Sequence, residues 1–250
     1  MRKLGQLQKV FANQKGYLVN WMGGTGGGFL TTLLYLYETQ KTGAFYINNV
    51  GKGHHNLAYI EKNFSSSSIT KYHDGYLHKL PIYEIVEPDS ADKPIFLYDH
   101  YPCDPEVFFS VYPDCKLVVI AIDESDKTLC FSNLFFKTNM QVSQFKDYKT
   151  NKDIPLDKLK VYLDQAPSCI EIADIFNKDI PVPETYKKVM FKIDFKKLVV
   201  DKQYLITQAI NITNSVHTPY IDNFIDEYQQ KQKELIQSSL PWLVDSIYET

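Results

Sequence analysis

Between residues 17 and 37 the sequence reads YLVNWMGGTGGGFLTTLLYLY, and no other stretch restricts the fold as much. Gly23, Gly24, Gly26, Gly27 and Gly28 gather five of the chain's 11 glycines into six positions, with Thr25 alone between them. Glycine accepts positive φ and has no Cβ, so such a turn can aim several backbone N–H groups at one point and let another group approach the main chain. A short apolar run enters the turn. An amphipathic helix is expected to leave it near Gly28, with Phe29, Leu33, Leu34, Leu36 and Tyr37 as its apolar positions. The unpaired N–H groups and dipole at that helix end favour an anion, so strand, glycine turn and helix form a phosphate cradle. The alternative is a tight strand-to-helix turn that binds nothing. The glycines fit the frame of a Walker A loop from Gly23 to Gly28, but Phe29 and Leu30 follow where that loop has lysine and a hydroxyl residue.

Further along, AFYINNV at 44–50 reads as a second strand, and Gly51-Lys52-Gly53-His54-His55-Asn56 as the loop after it. In a βαβ unit that loop brings Lys52 and the paired histidines toward the glycine turn; the alternative is a solvated loop. Ile95 to Tyr98 and Lys116 to Ile122 are continuous apolar runs of the kind a parallel sheet buries on both faces. Short helices are expected at 106–112, 156–164 and 168–177, a helix from about Asp126, a strand at 189–195, and helices at 202–213 and 218–238. Strand ends carry the chemistry in such folds. The first of these two runs delivers Asp99 and His100, the second Asp123, Glu124 and Ser125. His100 is suited to act as base or acid near neutral pH, and Asp123-Glu124 stands where a Walker B carboxylate would hold magnesium.

The 250 residues suit a single α/β domain over 1–250, with the proline-punctuated 138–187 stretch as a cap or insertion. The formal net charge of −3 and the absence of a long basic run argue against a nucleic-acid binder. Arg2 is the sole arginine, so a bound polyanion must be held by backbone N–H groups, lysines, histidines and hydroxyls. Cys103, Cys115, Cys130 and Cys169 show no C-x-x-C pair and read as free thiols in a reducing compartment. No apolar signal segment opens the sequence and no run reaches the roughly 18 apolar residues of a membrane span. A soluble cytoplasmic protein is expected, in host cytoplasm if the chain is viral.

These pieces, taken in order, resemble the P-loop sulfotransferases, which move sulfate from 3′-phosphoadenosine-5′-phosphosulfate to a hydroxyl or amine. Thr25-Gly26-Gly27-Gly28-Phe29-Leu30 looks like the family's S-G-T-T-W-L stretch, and Tyr98-Asp99-His100-Tyr101-Pro102 is similar to its K-T-H-L-P stretch. Residues 115–126 share the rhythm of a strand ending in R-[ND]-P-x-D, and 189–213 resemble the I-x-Y-E-D-L strand and the helix after it. The resemblance implies a P-loop-type three-layer αβα fold with a central, mostly parallel sheet and extra C-terminal helices. It implies His100 as base, a metal-free reaction, and a cofactor cradle of Gly24, Thr25, Gly26, Gly27, Gly28 and Phe29, with Lys52 supplying charge. The serine expected on the next helix falls on Cys130, with Ser132 two positions on. Gly24 stands where the family's loop has a lysine or arginine, and Ile122 where it has an arginine. The acceptor implied is a small molecule or glycan. Two other functions fit the same residues: a sulfotransferase-like scaffold without catalysis, serving in binding or structure, and a nucleotide kinase or NTPase using Asp99 or Asp123 for magnesium.

Overall fold

A computed structural model of the chain describes residues 15–40, 95–99, 102–139, 146–147, 150 and 152–248. The expected strand at 44–50, the loop with Lys52 and His100 lie outside the described residues. Among the described residues four strands form one sheet: β1 (Gly16–Asn20), β2 (Ile95–Asp99), β3 (Cys115–Ala121) and β4 (Met190–Asp194), in the order β2-β1-β3-β4. Every pairing is parallel. The helices are α1 (Gly27–Thr39), α2 (Pro105–Val111), α3 (Lys127–Asn139), α4 (Leu159–Gln165), α5 (Phe195–Val200), α6 (Lys202–Thr213), α7 (Tyr220–Ser239) and α8 (Val244–Tyr248). A mixed α/β fold results.

The period-two alternation of a strand sorts its side chains onto two faces. Tyr17 and Val19 of β1, Val118 and Ile120 of β3 and Ile193 of β4 join one buried cluster with residues of α1, α3, α5, α6 and α7. Leu18, Leu117, Val119 and Met190 join a second cluster, with Phe108 and Tyr112 from and just after α2 and Phe176 from the 170–186 segment. The register agrees, since Val19 pairs with Val118, Leu117 with Met190 and Ile120 with Ile193, each couple within one cluster. Covered on both sides, β1 and β3 are apolar runs, as a parallel sheet requires. The connection from β1 toward β2 starts along the first face in α1, and the one from β2 to β3 returns along the second face in α2. Crossovers of one hand that travel in opposite directions must use opposite faces.

Helix α1 differs from the amphipathic helix expected of it, because every residue from Gly27 to Tyr37 is buried. It packs against β2, α6 and α7, so no flank meets solvent over these turns. Its two buried threonines satisfy themselves: Thr31 Oγ1 donates to Gly27 O at 2.8 Å and Thr32 Oγ1 to Gly28 O at 2.9 Å. At its C-terminal end Gln40 turns into the left-handed region, and its side-chain amide donates to Tyr37 O and Val216 O.

The boundaries of β3, β4, α2, α6 and α7 fall within two residues of the expected ones. The helix expected at 168–177 does not form. A short 3-10 turn over Ala166–Cys169 gives way to turns that carry Asn177 alongside Ile122 as a parallel bridge. Phe176 is 1% exposed there, so this segment is part of the second cluster. Helix α5 was not expected; Asp194 caps it by accepting from Lys197 N–H at 3.1 Å, and Asp201 ends it and caps α6 through Tyr204 N–H at 2.8 Å. If Phe176 is a core residue, Phe176→Ala should cost about 3 to 5 kcal/mol. Equilibrium urea unfolding checks this, with one transition of unchanged steepness expected.

Candidate functional site

Because all strands point one way, their carboxyl ends share one edge of the sheet. Asn20 closes β1 level with Asp99, the last residue of β2, and Ala121 of β3 lies level with Asp194 of β4. The glycine turn therefore leaves that edge beside the strand that runs into His100. Asn20 is fully buried, and its side-chain oxygen accepts from Cys103 N–H at 3.2 Å, tying the segment after β2 to the end of β1.

The turn itself is shaped by packing. Gly24 and Gly26 have φ of 90° and 83°, the left-handed region that side chains disfavour. A Cβ at Gly24 would lie 2.2 Å from Cys130 O of α3, one at Gly26 2.3 Å from Tyr228 Oη of α7, and one at Gly27 1.9 Å from the Trp21 ring. Three of the glycines thus have a steric cause within the chain. Thr25 is fully buried, and both its hydroxyl and its N–H reach back to Met22 O, at 2.7 and 3.2 Å. Asn133 of α3 holds the turn from outside by donating its side-chain amide to Gly24 O at 3.2 Å. Phe29, in the first turn of α1, stacks on Tyr228 with ring centroids 3.7 Å apart and also lies against Phe224 at 5.2 Å.

The structure thus brings Gly24, Thr25, Gly26, Gly27, Gly28 and Phe29 together at one helix start, capped by Gly26 without a side-chain bond. Gly28 and Phe29 are buried with the rest of α1. Gly27, Gly28 and Phe29 are the first three positions of α1, whose N–H groups have no acceptor within a helix. Cys130 and Ser132 are enclosed in α3, and burial pushes the Cys130 thiol well up. It is the main-chain carbonyl of Cys130, not its thiol, that meets the glycine turn. Lys52 and His100 lie outside the described residues.

At the other end of the same edge, Asp123 and Asp126 form a reciprocal cap, each side chain accepting from the other's N–H at 3.1 Å. Ser125 Oγ donates to Asp123 at 2.6 Å, and Lys178 lies 2.6 Å from Asp194 and 3.6 Å from Asp123. Burial opposes ionisation of Asp123, but the Ser125 hydroxyl, the Asp126 N–H and the Lys178 charge outweigh it and hold the carboxyl below its usual range. Asp126 is 4% exposed, and burial raises its pKa, with the Asp123 charge adding to the rise. The tie between Lys178, Asp123 and Asp194 staples the ends of β3 and β4. Among the described residues no group of three or more His, Cys, Asp or Glu side chains is placed to hold a metal ion.

Trp21, Asn133 and Lys178 carry no sequence signal of their roles, whereas Tyr228 belongs to the apolar stripe expected of the 218–238 helix and is buried as core. Tyr228 carries only the helical spacing of a core aromatic, and Asn133 sits among apolar helix residues with nothing to mark its partner. No protein-family model, curated protein or solved structure matches the chain.

Two outcomes test this description. Gly24→Ala should cost about 2 to 5 kcal/mol, combining left-handed backbone strain with overlap on Cys130 O, whereas Gly23→Ala, whose Cβ meets only the flexible Leu134 side chain at 3.3 Å, should cost under about 1 kcal/mol. Chemical denaturation of the two variants decides. Asp123 has a depressed folded pKa, so its contribution is present above the unfolded carboxylate value and fades as pH falls through the folded one. The stability gap between the parent and Asp123→Asn should therefore shrink steadily from about pH 6 to about pH 2 in urea titrations.

Proposed function

We propose that the chain is a P-loop-type protein of the sulfotransferase kind, transferring a sulfuryl group from 3′-phosphoadenosine-5′-phosphosulfate to a hydroxyl or amine on a small molecule or glycan. The observation that carries this is the strand order with its register. The strand feeding the glycine turn lies directly beside the strand that ends at Asp99, so the turn and His100 follow from neighbouring strand ends. The cofactor supplies an activated sulfuryl group when bound. The N–H groups of Gly27, Gly28 and Phe29 at the start of α1 would hold its terminal anion. His100 would take the proton from the acceptor oxygen or nitrogen as that atom attacks sulfur in line with the departing phosphate. Backbone donors fixed by the fold stabilise the charge that builds on the leaving oxygen without reorganising.

A second reading has its own observation: the steric demands of Trp21, Cys130 O and Tyr228 account for three of the glycines without any ligand, and the Thr25 hydroxyl is spent on Met22 O. These favour a sulfotransferase-like scaffold that binds or builds without catalysis. The magnesium-dependent kinase reading draws no such support at Asp123, whose oxygens already serve Ser125, Asp126 and Lys178.

Calorimetry with 3′-phosphoadenosine-5′-phosphate separates the readings. The transferase reading expects saturable binding, retained in His100→Ala, together with a loss of turnover of about 100-fold or more in that variant. Absence of heat at millimolar ligand selects the scaffold.

A further inference from the structure

On the sheet face opposite α1, a cavity of about 650 Å³ opens between the segment after β2 and the 173–183 segment. Its size falls within the range of small-molecule sites. Pro102, Pro105, Ile175, Pro183 and Met190 are among its lining residues, and the lining is predominantly apolar. Prolines fix the backbone and remove N–H groups, so these walls are set in place and poor in donors.

The polar groups facing the cavity are unequal in kind. Lys192 is the one cation among its lining residues, and its ammonium already donates to Asn177 O at 2.6 Å and Ile180 O at 2.5 Å. Two carboxylates line the same space. Asp104 spends one oxygen, Oδ1, on the N–H groups of Glu106 and Val107 at the start of α2. Asp174 stands exposed at the opening. Burial lowers the pKa of Lys192, and the Asp174 charge pulls it back. The walls therefore offer acceptors and negative charge to an occupant and few donors.

We propose that this cavity is a binding site for an apolar amine, its hydrocarbon body against the proline, isoleucine and methionine lining and its ammonium directed to Asp174 and Asp104. The site is separate from the glycine turn and does not rest on the sulfotransferase reading. A ligand with an anionic head would face two carboxylates against a single lysine, two of whose three ammonium donors already serve main-chain carbonyls.

The test uses the full chain with three probes of one shape: 4-phenylbutylamine, 4-phenylbutanoate and 4-phenylbutanol, each followed by calorimetry and by protein-observed NMR. The amine should bind roughly tenfold or more tighter than the other two. Asp174→Asn, at an exposed position, should reduce its affinity toward that of the alcohol. Ala173→Trp, which fills the cavity, should abolish binding of all three. Tighter binding of the carboxylate, equal binding of all three, an amine affinity unmoved by Asp174→Asn, or no binding at about 10 mM would each overturn the proposal.

Discussion

Strand β1 is held in parallel register on both edges and covered by side chains on both faces, and this confinement governs the rest of the molecule. A strand so enclosed ends in the interior, at a fully buried Asn20, and the chain must turn there within space already claimed by α3, α7 and Trp21. Side-chain volume is what the turn cannot accommodate. Two left-handed glycines and a third pressed against an indole ring are the outcome, followed by a helix with no solvent-facing side from Gly27 to Tyr37.

The same geometry serves two functional readings. Close packing explains the glycines from behind, where a Cβ would sit, whereas anion binding concerns the direction in which the first N–H groups of α1 point. These are different sides of the same backbone. What favours the proposed group transfer is the neighbouring strand end at Asp99, because ligands of parallel sheets bind beyond the carboxyl ends of adjacent strands. Against it stands Thr25, whose hydroxyl turns inward.

The strands and long helices were legible because apolar runs and helical periodicity are local signals, and α6 begins and ends where they placed it. The failures share one cause, which is that burial is settled by partners far away in the chain. Nothing in FLTTLLYLY shows that α6 and α7 will cover the flank left for solvent, and the two threonines disguise the helix as amphipathic. The 168–177 segment carries helical spacing, but its main chain is recruited to Ile122. Asp194 did hold a readable sign of α5, an acidic cap before a short helical run, but the expected strand at 189–195 and helix at 202–213 leave 196–201 without an element. At the site, the glycine turn stood out, and Tyr228 was legible as a core aromatic of the last long helix, but Asn133 acquires its role from position alone.

The stacking of Phe29 on Tyr228 joins residues nearly two hundred positions apart, and the end of α1 is fastened through Gln40 to Val216. During synthesis, the first strand and helix therefore emerge long before the segments that shelter them. A nascent chain would carry α1 uncovered until residues 202–239 have left the ribosome, and the closing contacts bear a loop-closure cost. The core around α1 therefore closes only when a segment encoded far downstream reaches it.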